Sequence, residues 1–369
     1  MANPKYQVVI KDFADTTTFG PGDVIAILEN ATNVGWGEYL NEVGEAFFTL
    51  SQEDRNVSLL GQAMDEGWHC EIYRDGVQVF GGWLGESDEN YKDVVFTAYS
   101  YISGFYHYVM EWDKEWLATD ADEIVEDAYD YAVGLTKSRV GWLTKGTVEN
   151  LWVQSGGSTT LALPFYRAPY KRALTIFREI AAYAISDTTN RVKFQVTPAG
   201  IFRLHRNDKT ELNDVRWKLG DGKVRGFRRI RLPVDRRNEI LAVGASPRDT
   251  ILRETITKTV QRDAYGLKQE PIYFSWVRNA TQLQRVTRIR AKKAVRVDTD
   301  LYLSFFKNTV LPFRSGSADY QLGDTVTVVL DRGATSLTGS ADEKKIVVGQ
   351  QVIFSGGSEF VRVLLADDL

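Results

Sequence analysis

The stretch MEWDKEW, residues 110–116, sets Glu111, Asp113 and Glu115 at alternate positions beside Trp112 and Trp116. Paired carboxylates near aromatic side chains suit hydrolysis of a glycosidic bond, one as acid and the other as nucleophile or base. The same spacing is commoner on a solvated strand or helix start, and that plainer reading is preferred. His69 and Cys70 are adjacent, and successive side chains of a strand point to opposite faces, so they do not form a ligand pair. His107 and His205 lie far off in sequence, and Cys70 is the single cysteine, so neither a zinc set nor an intrachain disulfide is expected. Cys70 reads instead as a small buried side chain. GDGKVRG at 220–226 lacks the glycine spacing and the Lys-Ser/Thr pair of a phosphate-binding loop. No catalytic residue, metal or cofactor is therefore expected, and attention passes to the elements themselves.

The segment GWHCEIYRDGVQVFGGWLGE, residues 67–86, predicts a β-hairpin turned at Asp75-Gly76, a pair suited to a two-residue turn with positive φ at both centres. Simple alternation then opposes Ile72 to Val79 and Cys70 to Gly81. One face collects Trp68, Cys70, Ile72, Val77, Val79 and Trp83 as core. The other collects His69, Glu71, Tyr73, Gln78 and Phe80, free to meet solvent or a partner.

The chain of 369 residues exceeds what one core usually organises, and its 43% hydrophobic and 25% charged residues are ordinary for globular domains. Nine Trp, 17 Tyr and 18 Phe favour β-rich cores or interfaces. No apolar run approaches a membrane span, and MANPKYQVVIKDF lacks the charged and apolar regions of a signal peptide, so cytoplasmic synthesis and assembly without stable membrane insertion are expected. Charge is unevenly spread: residues 1–135 hold 26 acidic and 6 basic side chains, the remainder 23 and 39. Such a dipolar chain either solvates its faces differently or suits head-to-tail contacts between copies. The basic clusters span 216–237 and 278–296, with no acid in the second. Neither accompanies a helix-turn-helix, zinc-finger or RNA-binding signature, so specific nucleic-acid recognition is not expected.

Three regions follow. Residues 1–110 read as strands and turns, the expected N-terminal β-barrel. Residues 111–210 read as an α+β middle, with helices in DADEIVEDAYDYAVG and in APYKRALTIFREIAAYAISD, where Pro169 falls near the first turn, then a strand pair turned at Pro198-Ala199-Gly200. Residues 211–369 read as a second β-barrel carrying an inserted helix near 279–293. This third region echoes the first. Gly67 and Gly323 each open an alternating strand, a second strand runs through Val79-Phe80-Gly81 or Val347-Val348-Gly349, and a third starts near Val94 or Val361. The fold class is thus mainly β with an α+β insert, two related barrels flanking a mixed middle.

YLNEVGEAFFTLSQED, GWHCEIYRDGVQVFGGWLGE and VVFTAYSYISGFYHYVM resemble the N-terminal barrel of the baseplate-hub or tail-tip hub proteins of long-tailed bacteriophages. ADEIVEDAYDYA, ALTIFREIAAYA with VKFQVTPAGIFRL, NEILAVGAS and LGDTVTVVL are similar to later parts of such hubs, in order. Residues 135–165 have no counterpart, and the long turn at 333–344 departs from the tight turn of the first repeat.

The resemblance implies a homotrimer whose two barrels per chain alternate around an axis as a pseudo-sixfold ring. Such a ring fits a sixfold tail tube above and a threefold tip below. It further implies a tube or distal tail protein, tip, spike or fibre proteins and the tape-measure protein as partners, with DNA only in transit through a channel. The protein would then reside in the virion, at the tail tip. Arg225, Arg228, Arg229, Arg231, Arg288, Arg290, Tyr73 and Phe80 are the candidate interface or channel residues, with Arg228 facing opposite to Arg229 and Arg231. A host-surface carbohydrate-binding tail protein, using exposed aromatics, is the alternative.

Overall fold

A computed structural model describes residues 4–15, 19–110, 114–148, 163–168, 170–184, 190–208, 211–219, 221–231, 237–245, 251–274, 277–278, 280–295, 299–305, 320–329 and 343–367. The first group of elements is β1 (Tyr6–Phe13), β2 (Pro21–Leu28), β3 (Thr32–Tyr39), β4 (Glu45–Ser51), α1 (Val57–Glu66), β5 (His69–Arg74), β6 (Val77–Glu89) and β7 (Asp93–Ser100). A 3-10 turn at Tyr101–Tyr106 leads to β8 (Glu115–Thr119), α2 (Ala121–Gly134), β9 (Thr144–Val148), β10 (Leu163–Arg167), α3 (Ala173–Ala184), β11 (Asn190–Val196) and β12 (Ile201–Asp208). The last group is β13 (Glu211–Lys218), β14 (Val224–Arg231), β15 (Glu239–Gly244), β16 (Arg253–Thr257), α4 (Thr259–Tyr265), β17 (Gln269–Phe274), α5 (Ala280–Val295), β18 (Thr299–Phe305), β19 (Thr325–Val329), β20 (Glu343–Ser355) and β21 (Ser358–Asp367). No helix among the described residues is long and apolar enough to cross a membrane.

The protein is mainly β, and among the described residues one 13-stranded sheet joins the first and last groups of strands. Its order is β14-β18-β21-β20-β3-β4-β7-β6-β5-β1-β2, with β19 pairing β20 and β13 pairing β19. No closed barrel is found among the described residues. The junction is the antiparallel pairing of β20 with β3, from Gly349 opposite Tyr39 to Phe354 opposite Val34. One buried cluster draws from both groups, with Val8, Ile72, Phe48 and Phe96 from the first and Trp217, Leu303, Val352 and Val363 from the last. The echo between the regions is structural: β3-β4-β7-β6-β5-β1 in the first group runs in the same order as β14-β18-β21-β20-β19-β13 in the last.

The Asp75-Gly76 turn forms as its residues dictate, with φ of 51° and 80°. The register beyond it differs from simple alternation. Tyr73 opposes Gln78, but Ile72 opposes Phe80 and Cys70 opposes Gly82, because Val79 is an extra residue in β6. One inserted residue exchanges faces for everything beyond it. Phe80 therefore joins Cys70 and Ile72 in the core at 2% exposure, while Trp83 moves opposite His69 and Val77 is half exposed. Helix α1, absent from the sequence expectation of strands and turns here, buries Leu60 and Ala63 one turn apart. It stops at Gly67, whose φ of 69° lets its N–H reach the Met64 carbonyl at 3.0 Å while Trp68 N–H reaches Ala63 at 2.8 Å.

The middle elements gather on a second core. Phe105, Tyr129, Phe177 and Phe202 come from the 3-10 turn, α2, α3 and β12, with Tyr129 and Phe202 stacked at 4.7 Å between centroids. The predicted hairpin across Pro198-Ala199-Gly200 is present as β11-β12, and β9 adds to β12 in parallel. Pro169 lies outside the described residues. Helix α5 packs near β15 and β16, where Ala291 and Ala294 meet Ile240.

Candidate assembly surface

The basic strand β14 lies at the end of the large sheet, and among the described residues its ladder partner is β18 alone. Arg225 and Arg228 are exposed there, with the Arg225 guanidinium 5.6 Å from the Phe360 ring centroid. Arg229 turns inward instead and holds both oxygens of Glu343, at 2.8 and 2.9 Å. Burial works against the Glu343 charge, but Lys345 and Arg229 outweigh it and hold this carboxyl below its ordinary range. Arg231 belongs to β14 by its backbone, opposite Thr299, and its side chain lies outside the described residues.

The remaining candidates do not join this strip. Arg288 is exposed on α5 beside a shallow groove with Glu254, Lys258 and Gln284. Arg290 is paired with Glu270. Tyr73 is half-buried and donates its hydroxyl to Glu71 at 2.7 Å. Phe80 is core, so the expectation that it lies on an open face is corrected by the extra residue in β6.

Of the carboxylates near Trp116, Glu111 and Asp113 lie outside the described residues. Glu115 is 3.2 Å from Arg278, and Trp116 is buried with its indole N–H donated to Asp127 at 2.8 Å. Trp116 thus offers no open aromatic platform. His69 is fully buried: its Nδ1 lies 3.0 Å from the Tyr101 hydroxyl and its Nε2 3.0 Å from the Phe19 carbonyl. Desolvation pushes its pKa down to about 4, so it is neutral, and the arrangement fits an Nε2–H donated to Phe19 with Nδ1 accepting from Tyr101. Cys70 is a free, buried thiol, and no cluster of metal-ligating side chains occurs among the described residues.

Two polar joints were not visible in the sequence. Arg74 Nε and Nη2 reach Glu359 at 2.6 and 3.0 Å, and the Tyr6 hydroxyl donates to the same carboxylate at 2.6 Å. The other lies where β3 meets β11, around a cavity of about 70 Å³ lined by Glu38, Lys193, Ser100 and Leu322. Burial raises Glu38 to about 7 against the pull of Lys193, and lowers the Lys193 ammonium against the pull of Glu38 and Asp324.

Solved phage tail proteins share this fold along nearly their whole length. The chain is similar to a 43 kDa tail protein of prophage MuSo2 from Shewanella oneidensis, with TM-score 0.65, 11% identity and 99% of both chains covered. It is similar to a tail protein of Neisseria meningitidis MC58 at TM-score 0.63 and 12% identity, over 98% of this chain and 97% of that one. A prophage tail protein gp18 from Listeria monocytogenes EGD-e gives TM-score 0.54 and 9% identity, over 97% and 94%. No family model and no curated protein matches the sequence. The chain has the phage tail-protein fold, in agreement with the resemblance to tail-tip and baseplate hubs.

Proposed function

We propose that the chain is a structural protein of a bacteriophage tail, acting as the tail-tip or baseplate hub that adapts a sixfold tube to a threefold tip. The observation that carries this reading is the repeated strand order, β3-β4-β7-β6-β5-β1 matched by β14-β18-β21-β20-β19-β13 within one chain. A chain that presents two like units can satisfy six tube subunits with three copies, which is the geometry a symmetry adaptor requires. In this reading residues 1–110 dock the tube, residues 111–210 form the middle domain, and residues 211–369 supply the second ring unit. The homotrimer leaves a channel for DNA, meets the tube or distal tail protein above, and holds tip, spike or fibre proteins and the tape-measure end. The role is mechanical, exerted in the virion after assembly in the host cytoplasm.

Carbohydrate binding gains no support from the aromatics. Tyr91, Tyr170 and Tyr273 are well exposed, but lie in separate parts of the chain: the β6–β7 turn, the start of the α3 region and β17. Mass in solution and negative-stain images of the purified chain test the proposal. Threefold rings are the expected result, and a compact monomer that binds glycans would overturn it.

A further inference from the structure

The two long strands β6 and β20 play the same part in their repeats, with one difference. Each is 13 residues long and pairs along one edge with the strand that follows it. Each carries a bulge in that ladder, between Leu84 and Glu86 in β6 and between Val347 and Gly349 in β20. The bulge marks a change of partner on the opposite edge. Before it, β20 pairs with β19 as far as Ile346; after it, from Gly349, β20 pairs with β3. Before its own bulge β6 pairs with β5 as far as Trp83; after it, among the described residues, that edge of β6 has no ladder partner. By the repeat, the partner of β20 is β3, and the counterpart of β3 is β14. Both open with a bulge and a Gly-aromatic pair, Gly35-Trp36 and Gly226-Phe227. Strand β14 ends the sheet on the side opposite β2; among the described residues its ladder partner is β18 alone, and beyond that ladder only Val224, at its start, makes an isolated bridge, to Leu219.

We infer that a second copy of this chain lays its β14 antiparallel on the post-bulge half of β6, continuing the sheet from one subunit into the next. Charge supports this occupant. The open segment of β6 is acidic and exposed at Glu86, Asp88 and Glu89, and β14 exposes Arg225 and Arg228. Carrying the β20–β3 register across the repeat, bulge on bulge and glycine on glycine, sets Arg228 opposite Asp88 and Ser87 opposite Arg229. The ladder direction agrees. Asn90 N–H donates to Asp93 at 3.0 Å, so by alternation Ser87 turns its N–H to the open edge. An exposed strand edge is a ready template for pairing, and opposite charge on its two sides selects the partner and its register. Within one chain six strands lie between β14 and β6, seven spacings or about 34 Å along the sheet at about 4.8 Å per spacing, so the two edges belong to neighbouring copies. The copy number rests on the hub reading; the pairing of edges does not follow from that reading.

The full-length chain carrying Asp88→Cys and Arg228→Cys together tests the pairing, since facing positions of an antiparallel pair come within disulfide reach. Mild oxidation is expected to give covalent species that stop at three chains, and each single-cysteine variant none above background. Reversing Arg228→Glu or Asp88→Arg alone should weaken association at least tenfold, and the two together should restore most of it. Ser87→Pro removes an outward N–H while keeping the β6–β7 ladder, so it should reduce assembly at unchanged thermal melting. Trimers that form normally in Ser87→Pro, together with trimers of the double-cysteine variant that give no cross-link, would overturn the edge pairing and leave the hub reading standing. A wild-type chain that stays monomeric at high concentration, with its melting cooperative, would overturn both.

Discussion

Arg74 and Glu359 stand 285 residues apart and meet as a two-point ion pair, with Nε and Nη2 of the guanidinium on the two carboxylate oxygens at 2.6 and 3.0 Å. Both are almost wholly removed from solvent, at 6% and 1% exposure, and Tyr6 donates to the same carboxylate. The pair ties the end of the first hairpin to the β20–β21 turn, beside the β20–β3 junction. Removing one partner strands the other charge in a poor solvent, so Glu359→Ala should cost about 3–5 kcal/mol. A triple change to Tyr6→Phe, Arg74→Met and Glu359→Leu should recover most of that loss. Urea unfolding of the three proteins checks this; an alanine variant within about 0.5 kcal/mol of wild type would show that water reaches the site.

The acid limb of the stability profile should follow His69. Its folded pKa of about 4 lies below the ordinary value of about 6.5, so between these pH values the unfolded chain binds a proton that the native chain refuses. Stability contributed by the neutral ring is complete above about pH 6.5 and falls as pH drops toward 4, by roughly 3 kcal/mol in all. His69→Gln should flatten that limb in denaturation midpoints measured from pH 7 to pH 4. An unchanged slope would assign the loss to other groups.

Glu38 should act with the opposite sign. Its carboxyl is raised to about 7 by burial, so the native chain keeps a proton that the unfolded chain releases above the ordinary carboxylate range. Stability from this group declines as pH rises from about 4.5 to about 7. Glu38→Gln should therefore match wild type near pH 4 and melt higher at pH 8. A variant that melts lower at pH 8 would mean that the Glu38 charge is needed beside Lys193.

What was legible in the sequence follows the range of each interaction. The Asp75-Gly76 turn, helices α2 and α3 and the β11–β12 hairpin all rest on residues close together in the chain, and each appears in the structure. Phe80 was misplaced because one extra residue, Val79, shifts the register, and alternation alone carries no mark of a bulge. Helix α1 escaped although Gly67, a helix stop, stood in view. The β20–β3 junction and the Arg74–Glu359 pair join positions more than 280 residues apart, and no local pattern encodes them.

Phe80 offers a direct check of the corrected register. Phe80→Ala should cost about 3–5 kcal/mol, as truncation of a fully packed aromatic does, whereas on the open face it would cost little. Val77→Ala, at a half-exposed position, should cost well under about 1 kcal/mol. Equal effects from the two would restore simple alternation.

Arg228 and Arg229 are neighbours in β14 that should fail in different ways. Arg229 is held by Glu343 within its own subunit, so Arg229→Glu sets two carboxylates together and should lower subunit stability by about 2 kcal/mol. Arg228 is exposed, so Arg228→Glu should leave melting within about 0.5 kcal/mol of wild type and weaken association. Salt separates the effects further, because raising ionic strength from about 0.1 M to 1 M shortens screening from about 10 Å to about 3 Å. Assembly that depends on Arg228 should weaken across that range, while main-chain pairing between subunits persists and keeps part of it. If instead Arg228 faces a channel and meets DNA phosphates, its reversal would spare the assembly at every salt concentration and impair genome passage. Sedimentation of both variants at the two salt concentrations decides this, and assembly that both reversals weaken equally at unchanged melting would show that Arg229 leaves Glu343 to meet the neighbouring subunit.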